Sequence, residues 1–261
     1  MLTAGIDVGS RTTKIVILNN EKVQATGLQP TGANSIARAK DVLQQTLETE
    51  KLCFKDLDYV IATGYGRVNI SFADDKITEI TCHAVGSSKR FPATRTIIDI
   101  GGQDSKVIRL TADNKVEDFI MNDKCAAGTG RFLEVMADTL EVPLKEIGNI
   151  SLQADEAAVI SSTCTVFAES EVISLIAQGV GTAKILRGLH TAIVRRLKWM
   201  IYRVGLQEEV TLTGGVCLNK GVRDLLAQEL NTEINIPEYP QLIGALGAAI
   251  LAKMKLEGNY G

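Results

Sequence analysis

Gly5-Ile6-Asp7-Val8-Gly9-Ser10-Arg11-Thr12-Thr13-Lys14, running on to Leu18, recurs as Ile97-Ile98-Asp99-Ile100-Gly101-Gly102-Gln103-Asp104-Ser105-Lys106, running on to Leu110. The offset is a constant 92 residues. Ile6, Asp7, Gly9, Lys14 and Leu18 match Ile98, Asp99, Gly101, Lys106 and Leu110. Each copy reads as a strand, an acidic residue, a glycine turn and a second strand. A repeat of this length predicts two halves built on one plan, each offering a Gly-rich turn able to grip phosphate. Chance repetition of an ordinary hairpin is the plainer alternative.

Outward from the two hairpins, apolar periodicity fills in both halves. Strands are expected over 2–8, 13–18 and 22–28, then a helix over 34–49 with Ile36, Ala39, Leu43 and Leu47 on one face. A short strand at 59–63 ends in Gly64-Tyr65-Gly66-Arg67, and 78–88 reads as helical. The second half restarts with strands at 95–101, 105–111 and 115–121 and a helix at 130–140. Helices at 166–178 and 182–204, a strand at 209–213, a helix at 219–230, a strand at 233–236 and a helix at 241–256 complete it. Strands first and helices after, twice over, predict an α/β architecture with a nucleotide cleft between the halves. The boundary is placed near Phe91-Pro92, giving a first domain of 1–93 plus 241–261 and a second of 94–240. The small residues Gly244, Ala245, Gly247, Ala248 and Ala249 suit the last helix to close packing against the first half.

A chain of 261 residues with 45% hydrophobic and 23% charged residues is a globular protein able to bury real cores. A net charge of −3 without a basic run gives no sign of a nucleic-acid partner. Asp7 so near the start, with no basic segment before it, argues against a secretory signal. No uncharged apolar stretch reaches the ~18 residues of a membrane span. A cytoplasmic protein that meets no membrane is the expectation. Five cysteines without a CxxC, in a reducing compartment, do not form a disulfide framework.

The chain has no G-x-x-x-x-G-K-[ST], so phosphate binding must come from the hairpin turns. Gly9 allows the first turn, while Ser10, Thr12 and Thr13 offer hydroxyl and amide donors. Asp7 ends a strand where its carboxylate can hold Mg²⁺ through water. Asp99, Gly101 and Gly102 form the facing jaw. Gln103 or Asp104 is placed to orient an attacking water, a role such residues have in phosphoryl transfer. Thr213-Gly214-Gly215-Val216 after a strand is a third glycine turn, suited to backbone approach by an adenosine. These turns, with the Ala245–Ala249 helix, resemble the phosphate and adenosine motifs of the actin, Hsp70 and sugar-kinase superfamily. That resemblance implies two ribonuclease-H-like domains binding ATP and Mg²⁺.

Cys125, in Asn122-Asp123-Lys124-Cys125-Ala126-Ala127-Gly128-Thr129-Gly130, precedes a predicted helix. So does Cys164, in Ser161-Ser162-Thr163-Cys164-Thr165-Val166-Phe167-Ala168-Glu169. A helix N-terminus favours added negative charge. Two thiolates cannot complete a four-cysteine iron–sulfur site, although a two-fold dimer supplies the same pair twice. From spacing alone, two buried helix-capping hydrophobes remain the plainer alternative.

Both cysteine segments look like the signature segments of the 2-hydroxyacyl-CoA dehydratase activators, which are related to the ATPase subunits of benzoyl-CoA reductase. The likeness extends through 62–67, 98–104 and 213–216 and so spans essentially the whole chain. It implies an ATPase that works as a homodimer with one 4Fe–4S cluster held by Cys125 and Cys164 of both subunits. It further implies ferredoxin or flavodoxin as electron donor and a 2-hydroxyacyl-CoA dehydratase-type acceptor. A small-molecule kinase on the same scaffold is the alternative, and a non-catalytic assembly module that uses ATP as a conformational ligand is a third.

Other residues receive blander readings. Cys53 and Cys217 are expected to be packing residues, and Cys82-His83 makes no usable metal set. His190 is expected at a surface or interface. Lys14 and Lys106 either approach phosphate or are solvated strand lysines.

Overall fold

The computed structural model describes residues 1–122, 126–161 and 164–259. In chain order it has β1 (Leu2–Val8), β2 (Thr12–Asn19), β3 (Lys22–Pro30), α1 (Ser35–Thr49), β4 (Tyr59–Thr63), β5 (Asp75–Lys76) and α2 (Glu79–Arg90). The repeat then opens β6 (Thr96–Ile100), β7 (Ser105–Leu110) and β8 (Val116–Asn122), followed by α3 (Gly130–Thr139), α4 (Ile147–Ser151), α5 (Thr165–Ala177) and α6 (Thr182–Val204). The rest comprises β9 (Val210–Thr213), α7 (Lys220–Leu230), β10 (Ile234–Asn235) and α8 (Ile243–Leu256).

The strands form two five-stranded sheets, β3-β2-β1-β4-β5 and β8-β7-β6-β9-β10. Read in these directions the two orders are the same plan. β1 pairs antiparallel with β2 and parallel with β4, just as β6 pairs antiparallel with β7 and parallel with β9. The repeated hairpin therefore sits at the centre of each sheet, which establishes the α/β class expected from the sequence. Central strands are buried on both faces, and Ile6, Ile15, Ile17, Ile98, Ile100 and Ile108 are all fully enclosed. β10 falls within the strand expected at 233–236, whereas β5 and the short α4 are too brief for periodicity to show.

The chain divides into two compact units: Met1–Thr94 with Leu110–Glu117 and Pro237–Gly261, and Arg95–Arg109 with Asp118–Ile236. In the first unit α8 lies against β1 and α2 at backbone distance. A Cβ on Gly5 would drive into the Ala245 carbonyl, and one on Gly247 into the Cys82 carbonyl. Helices start where side chains take up their first amides: Asn34 Oδ1 accepts from Ala37 N at 3.1 Å, and Asn219 Oδ1 from Val222 N at 3.1 Å.

In the second unit α6 supplies the middle of the core with Ile185, Leu186, Leu189, Ile193, Leu197 and Ile201. His190 departs from expectation: it is 1% exposed. Asn219 Nδ2 lies 3.1 Å from its Nε2, and Ser151 Oγ lies 2.9 Å from its Nδ1. Because Asn219 Oδ1 is already taken by the α7 cap, its amide nitrogen must donate to Nε2, which leaves the ring proton on Nδ1 facing Ser151. Ser151 in turn donates to the Gly148 carbonyl at 2.7 Å. This chain of bonds joins α4, α6 and α7, and a neutral ring satisfies all of it.

Burial lowers the His190 pKa from an ordinary 6.5 to about 4. The unfolded chain thus takes up the proton first, so stability present above pH 6.5 is lost as pH falls from there toward 4. The full loss is about 3 kcal/mol. Urea unfolding at pH 7.5 and 4.5 tests this. His190→Gln, neutral throughout, is expected to lose clearly less stability between those pH values than the wild type.

Candidate functional site

The structure places an aspartate at the end of the central strand of each sheet, directly across from a lysine: Asp7 faces Lys14 and Asp99 faces Lys106. Lys14 Nζ reaches Asp7 Oδ2 at 3.0 Å. Lys106 Nζ reaches Asp99 Oδ2 at 3.2 Å and Asp104 Oδ1 at 2.8 Å. Neither lysine is the solvated strand residue that the sequence left open; their side chains are 14% and 4% exposed. Carboxylates as buried as these persist as ions only when paired, and the cross-strand lysines do that.

On the other side of each aspartate a parallel strand ends in Thr-Gly. Asp7 lies in register with Thr63 and Asp99 with Thr213. Gly64 and Gly214 follow with φ of +83° and +89°, values only glycine adopts without cost. A Cβ at Gly64 would strike Asp7 Oδ1, and one at Gly214 would lie 2.8 Å from Asp99 Oδ1. The second repeat element is therefore Thr63-Gly64 and Thr213-Gly214, which a fixed offset of 92 residues could not reveal. Gly214 is buried against the sheet, whereas Gly215 is exposed.

In the first turn Gly9 N donates to Thr12 O at 3.0 Å, and Ser10 and Thr12 are half-buried at its rim. Thr13 points inward: its hydroxyl meets that of Thr31 at 3.0 Å, and Thr31 Oγ1 donates to Gly9 O at 2.8 Å. Thr13 thus frames the turn. In the second turn Gly101 and Gly102 are half-buried and Gln103 is exposed, while Asp104 is held by Lys106.

The second turn is tied to the segment after Cys125. Gly130 N donates to Gly101 O at 2.9 Å and Arg131 N to Gly102 O at 2.8 Å. Ser105 Oγ donates to Gly128 O at 2.7 Å. Three bonds thus fasten 101–105 to the loop and first turn of α3. Asn122 reaches Ala127 O with Nδ2 and takes Arg196 Nη2 at 2.8 Å on its Oδ1, so both flanks of 123–125 are anchored. Cys125 itself lies outside the described residues.

Cys164 is the N-cap of α5 and is exposed, so it is not a buried capping hydrophobe. Glu171 takes the backbone N–H of Ser161 at 2.9 Å and its hydroxyl at 2.5 Å, and Glu169 takes the Thr139 hydroxyl of α3 at 3.3 Å. The two acids therefore brace the cysteine segments. Cys53 is exposed rather than packed. Cys82 and Cys217 are buried, which pushes both thiols up to about 12 and keeps them protonated. Among the described residues no group of three or more His, Cys, Asp or Glu side chains is arranged to hold a metal.

Two mixed sheets of one plan, each ending its central strand in a carboxylate beside a glycine turn, define a protein of the actin-like ATPase class. The fold of a ROK family glucokinase from Streptomyces griseus, in complex with glucose and AMPPNP, matches with a TM-score of 0.61 at 13% identity, covering 97% of this chain and all of that one. That likeness is one of fold alone. The chain belongs to the BadF/BadG/BcrA/BcrD ATPase family, whose model matches residues 4–252. It is 50% identical over 255 residues to the activator of lactoyl-CoA dehydratase from Anaerotignum propionicum, covering 97% of each. It superposes with a TM-score of 0.93 on the activator of the 2-hydroxyisocaproyl-CoA dehydratase from Clostridium difficile with bound ADPNP, at 46% identity and covering 99% of this chain and 96% of that one.

The lysines predict a graded response. Lys106→Met removes the cation that Asp99 and Asp104 share and is expected to cost about 3 kcal/mol in urea unfolding. Lys14→Met, which strands one carboxylate closer to solvent, is expected to cost less.

Proposed function

We propose that this chain is an ATP-hydrolysing, iron–sulfur activator that delivers a low-potential electron to a 2-hydroxyacyl-CoA dehydratase-type enzyme. The observation that carries the reading is the three-bond tie between the 101–105 turn and the 128–131 segment, since it joins a phosphate-type turn directly to a cysteine loop. The relatives named as dehydratase activators, and the ADPNP held by one of them, support the same reading.

In this reading Asp7 holds Mg²⁺ through water, and Gly9, Ser10, Thr12 and Thr13 shape or contribute the first phosphate turn. Asp99, Gly101 and Gly102 serve the second, with Gly214 and Gly215 toward the adenosine. Gln103 orients the attacking water, and Asp104 fixes Lys106. The domains run 1–93 plus 241–261 and 94–240. Loss of the γ-phosphate changes what the 101–105 turn must bond, and its carbonyls pass that change to Gly130 and Arg131.

Cys164 fits a soft-metal ligand: an exposed thiol at the positive end of a 13-residue helix. With Cys125 it would hold half of a 4Fe–4S cluster, the rest coming from a second copy of the chain. When bound, that cluster supplies one-electron transfer at low potential. The helix behind Cys164 has a surface that calls for such a copy. Val166 and Phe167 are each 67% exposed, and Ile173 and Ile176 also face solvent, while Ala168 and Val172 are buried. A helix apolar on its inner and outer sides marks an interface. A cytoplasmic homodimer, charged by ferredoxin or flavodoxin, completes the proposal.

Protein purified without oxygen is expected to carry about four iron and four sulfide per dimer, with an EPR signal after dithionite. Cys164→Ser is expected to lose the iron and keep ATP binding. Iron-free anaerobic protein that still binds ATP overturns the cluster assignment.

Ser105→Ala removes one bond of the tie at a cost of about 1 kcal/mol. ATP affinity is expected to stay near the wild-type value. Amide exchange of residues 126–131, followed with and without an ATP analogue, is expected to keep a reduced nucleotide response, because the two main-chain bonds of the tie remain.

A further inference from the structure

The Cys82-His83 pair makes no metal set, yet His83 has a defined place beside Asp7. It is 6% exposed, on the inner face of α2. A Cβ built on Gly244, the second residue of α8, would lie 3.1 Å from His83 Nε2 and 3.2 Å from Asp7 Oδ2. The ring nitrogen and the carboxylate oxygen thus flank one small gap that exists only because residue 244 is glycine. Lys14 reaches the same oxygen at 3.0 Å. Oδ2 is therefore the gathered side of the carboxylate.

The molecule contains its own control. In the second sheet Thr213 Oγ1 donates to Asp99 Oδ1 at 2.9 Å, so that carboxylate is held by a hydroxyl and a lysine. In the first sheet Thr63 occupies the same register, but its buried hydroxyl makes no hydrogen bond of ordinary geometry. The first carboxylate lacks the hydroxyl brace its twin has. An imidazole stands near it instead.

We propose that His83 is a positioning residue for Asp7, orienting the carboxylate so that it can hold hydrated Mg²⁺ at the nucleotide. The inference rests on the reading of Asp7 as the Mg·ATP carboxylate. A ring beside Oδ2 fixes the carboxylate plane and leaves its remaining lone pairs to metal-bound water, as outer partners of metal ligands do. The ring is held in place by main chain. Gly247 leaves no room for a Cβ against the Cys82 carbonyl, and Gly86 leaves none against the Ile243 carbonyl. α2 and α8 therefore cannot slide apart to let His83 swing without losing their crossing.

The test is the Mg²⁺ dependence of ATP hydrolysis by the full-length protein, with melting temperatures alongside. His83→Leu is expected to raise the Mg²⁺ concentration for half-maximal turnover about tenfold, the low end of what loss of an outer partner of a metal ligand costs. His83→Gln, which restores a side-chain N–H, is expected to recover most of that shift. Cys82→Ala is expected to lower the melting temperature without moving the Mg²⁺ dependence, which separates core packing from positioning. If both His83 variants keep the wild-type Mg²⁺ dependence while Asp7→Asn shifts it, His83 does not position Asp7. If His83→Gln is as impaired as His83→Leu and both melt early, the residue is structural and the proposal fails. Should His83→Leu not fold, a wild-type Mg²⁺ response in both His83→Gln and His83→Asn overturns it equally. An Asp7→Asn protein with unaltered Mg²⁺ dependence would instead remove the underlying assignment of Asp7.

Discussion

Each half of this protein is organised around a carboxylate that has been taken out of water and must be paid for by its neighbours. An unpaired buried carboxylate is costly enough to unfold a domain of this size. The cross-strand lysine answers that cost in both sheets, and the antiparallel register sets it directly opposite the acid. The glycine that follows the parallel neighbour then lets a main chain pass the carboxylate at a distance no Cβ would allow. Strand order, lysine and glycine follow from the presence of the charge, and the charge has a purpose only if something comes to bind it.

The two carboxylates are not braced alike. Asp99 is held by Lys106 and by the Thr213 hydroxyl, and Lys106 is further engaged by Asp104. Asp7 has Lys14 and the vicinity of His83 and the start of α8. One site is thus stiffened by side chains of its own sheet, the other by helices packed behind it. A duplicated frame has been finished in two different ways, which is what a division of labour between metal holding and turn positioning would require.

Much of this was legible in the residues. The 92-residue repeat showed the shared hairpin because Asp7, Gly9 and Lys14 and their twins have no intervening insertions. The Thr63-Gly64 and Thr213-Gly214 equivalence escaped, since α3 to α6 lie between hairpin and partner strand in the second half only. Pairing in space outlasted spacing in sequence. His190 was misread because an apolar helix face carrying one imidazole looks the same whether the ring meets solvent or a buried serine and asparagine. Thr13 was read as a phosphate donor by its place in a turn, and only the Thr31 contact shows that it faces inward. The exposure of Cys164 had no local signal: it follows from how α5 packs, with Ala168 and Val172 turned inward.

The tie between the glycine turn and the cysteine loop is made mostly by main-chain carbonyls and amides. The exposed side chain of this stretch, Arg131, can therefore be exchanged without cutting the connection, since its N–H makes the bond. For protein engineering this is a seam: the surface at Arg131 can be redrawn while the glycine turn behind it keeps its bonds. The same geometry limits what a single side-chain replacement can do to silence the link, since two of its three strands are backbone and survive any such change.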